Sequence, residues 1–153
     1  MFPATTRRVA EQTSDHINEA IWHKTEKNIA HYAAQGPSAI DQRLAELDRE
    51  WDIERALEAN ASVAVLLGLS LGAFVHRRLF ILPALVASFL LQHALQGWCP
   101  PVPVLRRLGM RTSTEIDYER YALKALRGDF QHLEIPKPTN GEIIDKTVQA
   151  VRA

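Results

Sequence analysis

The fold of this chain is decided by residues 59–98, which read ANASVAVLLGLSLGAFVHRRLFILPALVASFLLQHALQGW. Arg77 and Arg78 are the only formally charged residues in this stretch, and with His76 they divide it into two apolar runs, 59–75 and 79–98. As helices these runs would span roughly 25 and 30 Å, close to the hydrocarbon thickness of a bilayer. We therefore predict two transmembrane helices joined by a tight turn.

The charged residues are segregated around this stretch. The 153 residues carry 18 basic and 18 acidic side chains, and all except the two arginines lie outside 59–98. An ordinary soluble domain mixes charged and apolar residues along its length. The pattern predicts an all-α protein whose two-helix transmembrane hairpin is flanked by amphipathic cytoplasmic helices. The alternative is a hairpin buried inside a larger soluble complex.

Four segments follow from this division of the sequence. We predict an N-terminal helical cytoplasmic arm (1–55), a transmembrane helical hairpin (56–98), an interfacial loop with a C-terminal helix (99–130), and a linker and tail (131–153). The first residues contain no apolar stretch typical of a secretory signal, so we expect the N-terminus to begin in the compartment of synthesis.

Composition and motifs exclude several classes of function. The net charge is zero and there is no basic patch, which excludes a nucleic-acid partner. The single cysteine excludes an internal disulfide and a cysteine-based zinc site. The sequence contains no nucleophile elbow, glycine-rich phosphate loop or paired catalytic carboxylates. We therefore predict neither enzymatic activity nor a cofactor.

Small residues recur on both predicted spans. Ala64, Gly68 and Gly72 recur every four positions on the first span, and Ala84 and Ser88 do so on the second. In lipid such stripes let helix backbones approach closely. Either the hairpin itself or a dimer would use them.

The predicted turn fixes a register between the spans. A connection of about three residues makes the helices antiparallel neighbours, with residue numbers that sum to about 154 at the same depth. This register pairs Glu58 with Gln96 and places Asn60 beside His93. We predict that these four residues form an intramembrane polar cluster.

Arginines near the ends of the spans predict the orientation. Two lie in the turn, whereas six lie within about 20 residues outside the spans. Because basic residues favour the cytoplasmic side, both termini are predicted to be cytoplasmic. The six are Arg43, Arg49, Arg55, Arg106, Arg107 and Arg111.

Two helices are predicted before the hairpin. Apolar periodicity predicts a helix from Ser14 to about Ala34, which Gly36 and Pro37 end. A second helix begins at Ser38 and, with no breaker before the first span, is expected to run on into the membrane. Trp51 would then lie at the interface.

The segment after the second span has three prolines in its first five residues. Residues 99–103 are therefore predicted to be extended. Thr112 stands three residues before Glu115 and forms a capping box, which opens a helix that Gly128 closes. The residues predicted to face inward on this helix are Ile116, Leu123 and Leu126.

Residues 97–109, GWCPPVPVLRRLG, carry a resemblance to a known family. The two apolar helices, with the second ending in Gly97, Trp98 and Cys99 before a short leucine-containing helix, resemble the YgaP-like inner-membrane domain of unknown function. The resemblance covers roughly residues 54–112, and it departs at the basic turn and in the long arms. It implies a self-associating hairpin in the bacterial inner membrane with cytoplasmic ends. It implies no enzyme, because the rhodanese domain of the best-known member has no counterpart here.

Cys99 is the first candidate for chemistry. Its thiol could accept a sulfane sulfur at the membrane surface. The preceding helix C-terminus disfavours a thiolate, although Arg106 and Arg107 could offset this. The alternative is a small packing residue at the interface.

Histidines are the other candidates. His93 could ligate haem or a metal across a dimer axis, accept a proton, or hydrogen-bond a polar neighbour; the span shows no second ligand at metal spacing. Four residues of the first helix share one face and would either hold a metal ion or form a solvated surface. They are His16, Glu19, His23 and Glu26.

The leading hypothesis is a small integral membrane protein that acts as an anchor, scaffold or accessory subunit. It would be a homo-oligomer or part of a larger membrane-protein complex, and the helices Ser14–Arg55 and Ser113–Arg127 would dock the partner. One alternative is a sulfur or redox relay through Cys99. A second is a haem-binding helical bundle that uses His93.

Overall fold

The computed structural model describes residues 3–131, 147–149 and 151. All regular structure in these residues is helical, which confirms the predicted all-α fold. Most of the predicted linker and tail lies outside the described residues. The helices are α1 (Arg8–Glu11), α2 (Asp15–Gln35), α3 (Pro37–Leu47), α4 (Ile53–Phe74), a 3-10 helix (Arg77–Phe80), α5 (Ile81–Gln96), α6 (Val102–Arg107) and α7 (Ser113–Arg127).

The chain divides into two units. The first comprises Met1–Thr25 and Glu50–Ile116, and contains the hairpin. The second comprises Glu26–Arg49 and Asp117–Ala153. Each unit has its own buried residues.

The hairpin consists of two helices that are long and apolar enough to cross a membrane. Helix α4 has 22 residues, and the 3-10 helix with α5 has 20. Little of either is buried, and large apolar side chains such as Leu66 (64% exposed) and Leu91 (62%) face outward along both. The described chain therefore does not cover these helices with a polar shell, as a soluble core would require.

The predicted continuous helix from Ser38 into the first span is wrong. Helix α3 ends at Leu47, and α4 begins only at Ile53. Asp52 is the physical reason, because its side chain accepts a hydrogen bond from the backbone N–H of Arg55 at 2.7 Å and so caps a new helix. Trp51 lies in the break and stacks under the Arg55 guanidinium, 4.5 Å from its ring centroid.

The turn differs from the predicted three-residue connection. Helix α4 ends at Phe74, and residues 77–80 form a 3-10 helix that leads into α5. Gly68 consequently lies against Pro83, and Gly72 against Phe80. The predicted register would have placed Gly68 opposite residue 86. The register is therefore shifted by two to three residues, because the 3-10 helix belongs to the second helical segment rather than to the connection.

The segment after the hairpin is more helical than predicted. Helix α6 begins at Val102, so residues 99–103 are not extended throughout. Pro101 and Pro103 lie at the cap and in the first turn, where the missing N–H of proline is tolerated.

The predicted capping box is present at the start of α7. The N–H of Thr112 donates to Glu115 Oε2 at 2.8 Å, and the N–H of Glu115 donates to Thr112 Oγ1 at 3.3 Å. Gly128 follows the helix with a φ of 98°. Leu123 is buried as predicted, whereas Leu126 is 59% exposed and does not face inward.

Candidate functional site

The first small-residue stripe is used within the chain. A Cβ added to Gly68 would lie 2.6 Å from Pro83 Cδ, and one added to Gly72 would lie 2.7 Å from Phe80 Cδ1. Both distances are shorter than van der Waals contact, so the glycines permit the close approach of α4 and α5. Ala64 lies on the same side and is partly buried.

The second stripe points outward. Ala84 and Ser88 are both exposed, and the Ser88 hydroxyl donates to the Ala84 carbonyl at 2.8 Å. Neither residue contributes to the seam between the helices. A contact between this stripe and a second copy of the chain stays a prediction.

The N-terminal segment closes the base of the hairpin, which we define as the end of the hairpin near Ile53 and Gly97. Gly97 ends α5 with a φ of 79°, and its N–H donates to the His93 carbonyl at 2.8 Å. A Cβ at Gly97 would lie 2.2 Å from the carbonyl oxygen of Arg8. The backbone of α1 therefore lies directly against the end of α5.

A small apolar core fills this base. It contains residues from α1, from the first turns of α4 and α6, and from the segment after α5. Leu105 and Met110 are partly buried against it. The buried members are Val9, Ile53, Leu57, Cys99 and Val102.

The predicted polar cluster does not form as a hydrogen-bonded group. His93 is buried (6% exposed), whereas Glu58, Asn60 and Gln96 are exposed. The Asn60 amide donates to the Ala56 carbonyl of its own helix at 2.8 Å. Within the described residues, neither ring nitrogen of His93 has a hydrogen-bond partner.

The structure instead places two other ionisable side chains with His93. Arg8 lies against Gly97, one helical turn after His93, and Glu54 lies in the first turn of α4. Arg8 Nε and Glu54 Oε2 are buried and, across the described part of the chain, have no hydrogen-bond partner. A carboxylate, an imidazole and a guanidinium thus share the base of the hairpin.

Sequence reasoning missed two members of this group for different reasons. Glu54 lies one helical turn before Glu58, so helical periodicity would have placed it on the same side of α4, but the predicted register pairs it with residue 100, beyond the second span. Arg8 carries no comparable signal, because it reaches the site only when α1 packs against Gly97.

Cys99 is enclosed rather than presented at a surface. Its side chain belongs to the apolar core and is 3% exposed. Burial raises the pKa of the Cys99 thiol, and a hydrogen bond from the backbone N–H of Val102 opposes this only in part. Arg106, which sequence reasoning offered as a stabilising charge, is instead paired with Glu115.

Arg106 forms an extensive buried polar contact in the first unit. Its guanidinium donates to both carboxylate oxygens of Glu115 at 2.7 and 2.8 Å, to Asn18 Oδ1 at 2.8 Å and to the Met110 carbonyl at 3.0 Å. Burial acts to raise the pKa of Glu115, but hydrogen bonds from Arg106 and Thr112, with the Arg106 charge, hold that pKa below its usual value.

Arg111 makes a second buried bidentate pair. It donates to the two carboxylate oxygens of Glu50 at 2.8 and 2.7 Å and to Thr25 Oγ1 at 3.2 Å. Its backbone carbonyl accepts the N–H of Ile53, the first residue of α4, at 2.8 Å. Arg106 and Arg111 therefore fix the segments around the hairpin base, whereas the sequence suggested a role in orientation for both and, for Arg106, a charge near Cys99.

The second unit is also rich in paired charges. Arg43 Nε donates to the fully buried Glu119 at 2.7 Å, and Arg127 pairs with Asp41 and Asp129. A cavity of about 370 Å³ lies in this unit. Four of its charged residues form two ion pairs, Arg120 with Asp48 and Arg127 with Asp41. The fifth, Lys124, donates to the Val151 carbonyl at 3.3 Å.

A cleft of a different character lies in the first unit, between α4 and α5 at the hairpin base. Its volume is about 350 Å³, and no charged residue lines it. Asn60 and Cys99 provide its only polar side chains. The lining residues are Leu57, Asn60, Ala61, Ala64, Val86, Phe89, Leu90, Cys99, Pro100 and Pro101.

The four residues considered for metal binding on the first helix are all exposed on α2: His16, Glu19, His23 and Glu26. Over residues 3–131, 147–149 and 151, no three His, Cys, Asp or Glu side chains are placed to hold a metal ion together.

Protein-family models, curated proteins and solved structures give no match to this chain. The resemblance to the YgaP-like domain therefore stays a prediction carried by the motif at residues 97–109.

Proposed function

We propose that this protein is a small integral membrane protein in which the α4–α5 hairpin anchors the remaining helices at the cytoplasmic face of a bacterial inner membrane. The observation that carries the proposal is the outward-facing apolar surface of both hairpin helices. Exposing that surface to water is unfavourable by about 25 cal/mol per Å², and a bilayer removes this penalty.

The base of the hairpin supports a role as a scaffold rather than a simple anchor. The buried pair of Arg106 with Glu115 joins α6 to the start of α7, and the pair of Arg111 with Glu50 joins the segment between α6 and α7 to the residues just before α4. Losing one partner of such a pair leaves a buried charge, which is strongly destabilising. These pairs would hold α6 and the first turn of α7 in place for a partner.

Helix α7 offers a surface for that partner. Tyr118, Tyr121 and Leu126 are exposed on it, and tyrosine is enriched in protein interfaces. The occupant would be a second copy of this chain or another subunit of a membrane complex. Replacing Tyr121 and Leu126 with glutamate is then expected to reduce complex size on native gels in mild detergent. Replacing Gln12, which is exposed between α1 and α2 and lies outside the proposed docking helices, with glutamate serves as the control.

Membrane washing tests the anchor. The full chain is expected to stay in the membrane pellet after an alkaline carbonate wash that removes peripheral proteins. Recovery in the supernatant would exclude an integral hairpin.

Cysteine labelling tests the orientation. Because Cys99 is the only cysteine, single-cysteine variants can be made in a Cys99→Ser background. We expect a membrane-impermeant thiol reagent outside intact cells to label His76→Cys and not Ser113→Cys. The reverse pattern would place the termini on the other side.

The two chemical alternatives receive less support. A sulfur or redox relay needs an accessible thiolate, and burial of Cys99 disfavours both accessibility and ionisation. A haem-binding bundle through His93 needs the imidazole to face a cofactor, whereas the His93 side chain is only 6% exposed. A haem absorption band in the purified protein would nevertheless restore the second alternative.

A further inference from the structure

We propose that the apolar cleft between α4 and α5 holds one acyl chain of a bilayer phospholipid. The inference rests on the proposed membrane location of the hairpin. It goes further by assigning a ligand to a specific site at the hairpin base.

The shape of the cleft follows from small side chains on α4. Ala61 and Ala64 lie one turn apart and face Val86, Phe89 and Leu90 of α5. Larger residues at the alanine positions would fill the space between the helices. The volume of about 350 Å³ lies within the range of about 300–1,000 Å³ of sites for small ligands.

The lining determines the chemistry of the occupant. No charged side chain reaches the cleft, and the amide of Asn60 donates to its own helix. An ionic ligand, a nucleotide or a charged peptide would therefore lose its hydration without compensation. A saturated or unsaturated hydrocarbon chain has no such hydration to lose.

The position of the cleft identifies the source of that chain. Its wall includes Phe89, which is exposed on the outer surface of α5, and Asn60, which is exposed on α4. The cleft is therefore continuous with the apolar surface that the bilayer would cover. Pro100 and Pro101 line the end of the cleft that lies just beyond the hairpin. At this end the lipid headgroup would remain in the membrane–water interface.

The experiment is native mass spectrometry of the full chain, purified from bilayers of defined phospholipid composition into a mild detergent. We expect the wild type to retain one phospholipid per chain. Ala64→Phe fills the cleft and is expected to reduce this occupancy at least tenfold. Ala87→Phe adds the same side chain on the exposed face of α5 and should leave the occupancy unchanged.

Several results would overturn the proposal. They are a wild type without retained lipid, an Ala64→Phe variant that retains as much as the wild type, or retention that depends on an anionic headgroup. Ala61→Leu is a milder second variant, and it must lower the occupancy in the same direction if Ala64→Phe does not fold. Membrane pelleting of each variant separates the two proposals, because a protein that pellets without lipid retention disproves only the cleft assignment.

Discussion

The carbonyl oxygen of Arg8 lies so close to Gly97 that a Cβ at this glycine would come within 2.2 Å of it. Gly97 also has a φ of 79°, in the left-handed region that side chains disfavour. One residue thus satisfies two requirements, since it ends α5 and lets α1 close the hairpin base. The N-terminal segment is consequently part of the anchor.

Replacing Gly97 with alanine should destabilise the protein strongly. The left-handed backbone costs an alanine about 1 kcal/mol, and the clash with Arg8 adds to this. We expect a loss of more than about 2 kcal/mol in denaturant unfolding in detergent. Gly109→Ala is the matched control, because Gly109 has a φ of 83° with open space around it. Equal losses for the two variants would disprove the contact with Arg8.

Replacing Gly68 with leucine should separate the two hairpin helices. The added side chain must displace Pro83 of α5. The ring of this proline is closed onto the backbone nitrogen, so it cannot move without the helix. We expect the distance between spin labels on the outer faces of α4 and α5 to increase relative to the unsubstituted hairpin. Ala73→Leu, at an exposed position of the same helix, should leave the distance unchanged. An unaltered distance in the Gly68 variant would contradict the register described here.

The hairpin was predictable because its signal is local and long. Three features depend on residues that are close in sequence. They are the charge-free runs, the capping box at Thr112 and Glu115, and the helix stop at Gly36. The break at Asp52 was missed because one capping aspartate stands among many charged residues. The contact of Arg8 with Gly97 joins distant segments and leaves no periodic pattern, so only the folded chain shows it.

Stability should fall at acid pH because of Glu115. Its folded pKa lies below the ordinary value of 4.5, so its contribution is complete above that value. The contribution is lost as the pH falls below 4.5 toward the folded pKa. We expect the unfolding midpoint of the wild type to drop over this range more steeply than that of Glu115→Gln.

Replacing Glu115 with glutamine should also lower the free energy of unfolding at neutral pH. It leaves the buried Arg106 without its carboxylate, which typically costs about 3–5 kcal/mol. Glu11→Gln is the control, because its pair with Arg7 is exposed and should contribute less than about 1 kcal/mol. If the two variants lose equal stability, the Arg106 pair does not support the base.

Cys99 should react slowly with a thiol reagent at neutral pH. The side chain is buried and its raised pKa reduces the thiolate fraction. We expect the rate to rise at least tenfold on denaturation, a factor that corresponds to about 1.4 kcal/mol of protection. Ser113→Cys in a Cys99→Ser background is exposed and should react rapidly in the folded state. Rapid labelling of native Cys99 would favour the relay instead.

The depth of individual side chains in a bilayer tests the central claim most directly. Nitroxide labels are placed one at a time at Leu67, Leu91 and Ser113 in a Cys99→Ser background, and their relaxation by oxygen and by a water-soluble nickel chelate is measured in liposomes. A hairpin in lipid predicts that labels at Leu67 and Leu91 respond to oxygen and are shielded from nickel, while the label at Ser113 responds to nickel. Strong nickel relaxation at both hairpin positions would show that these helices face water and would contradict the account.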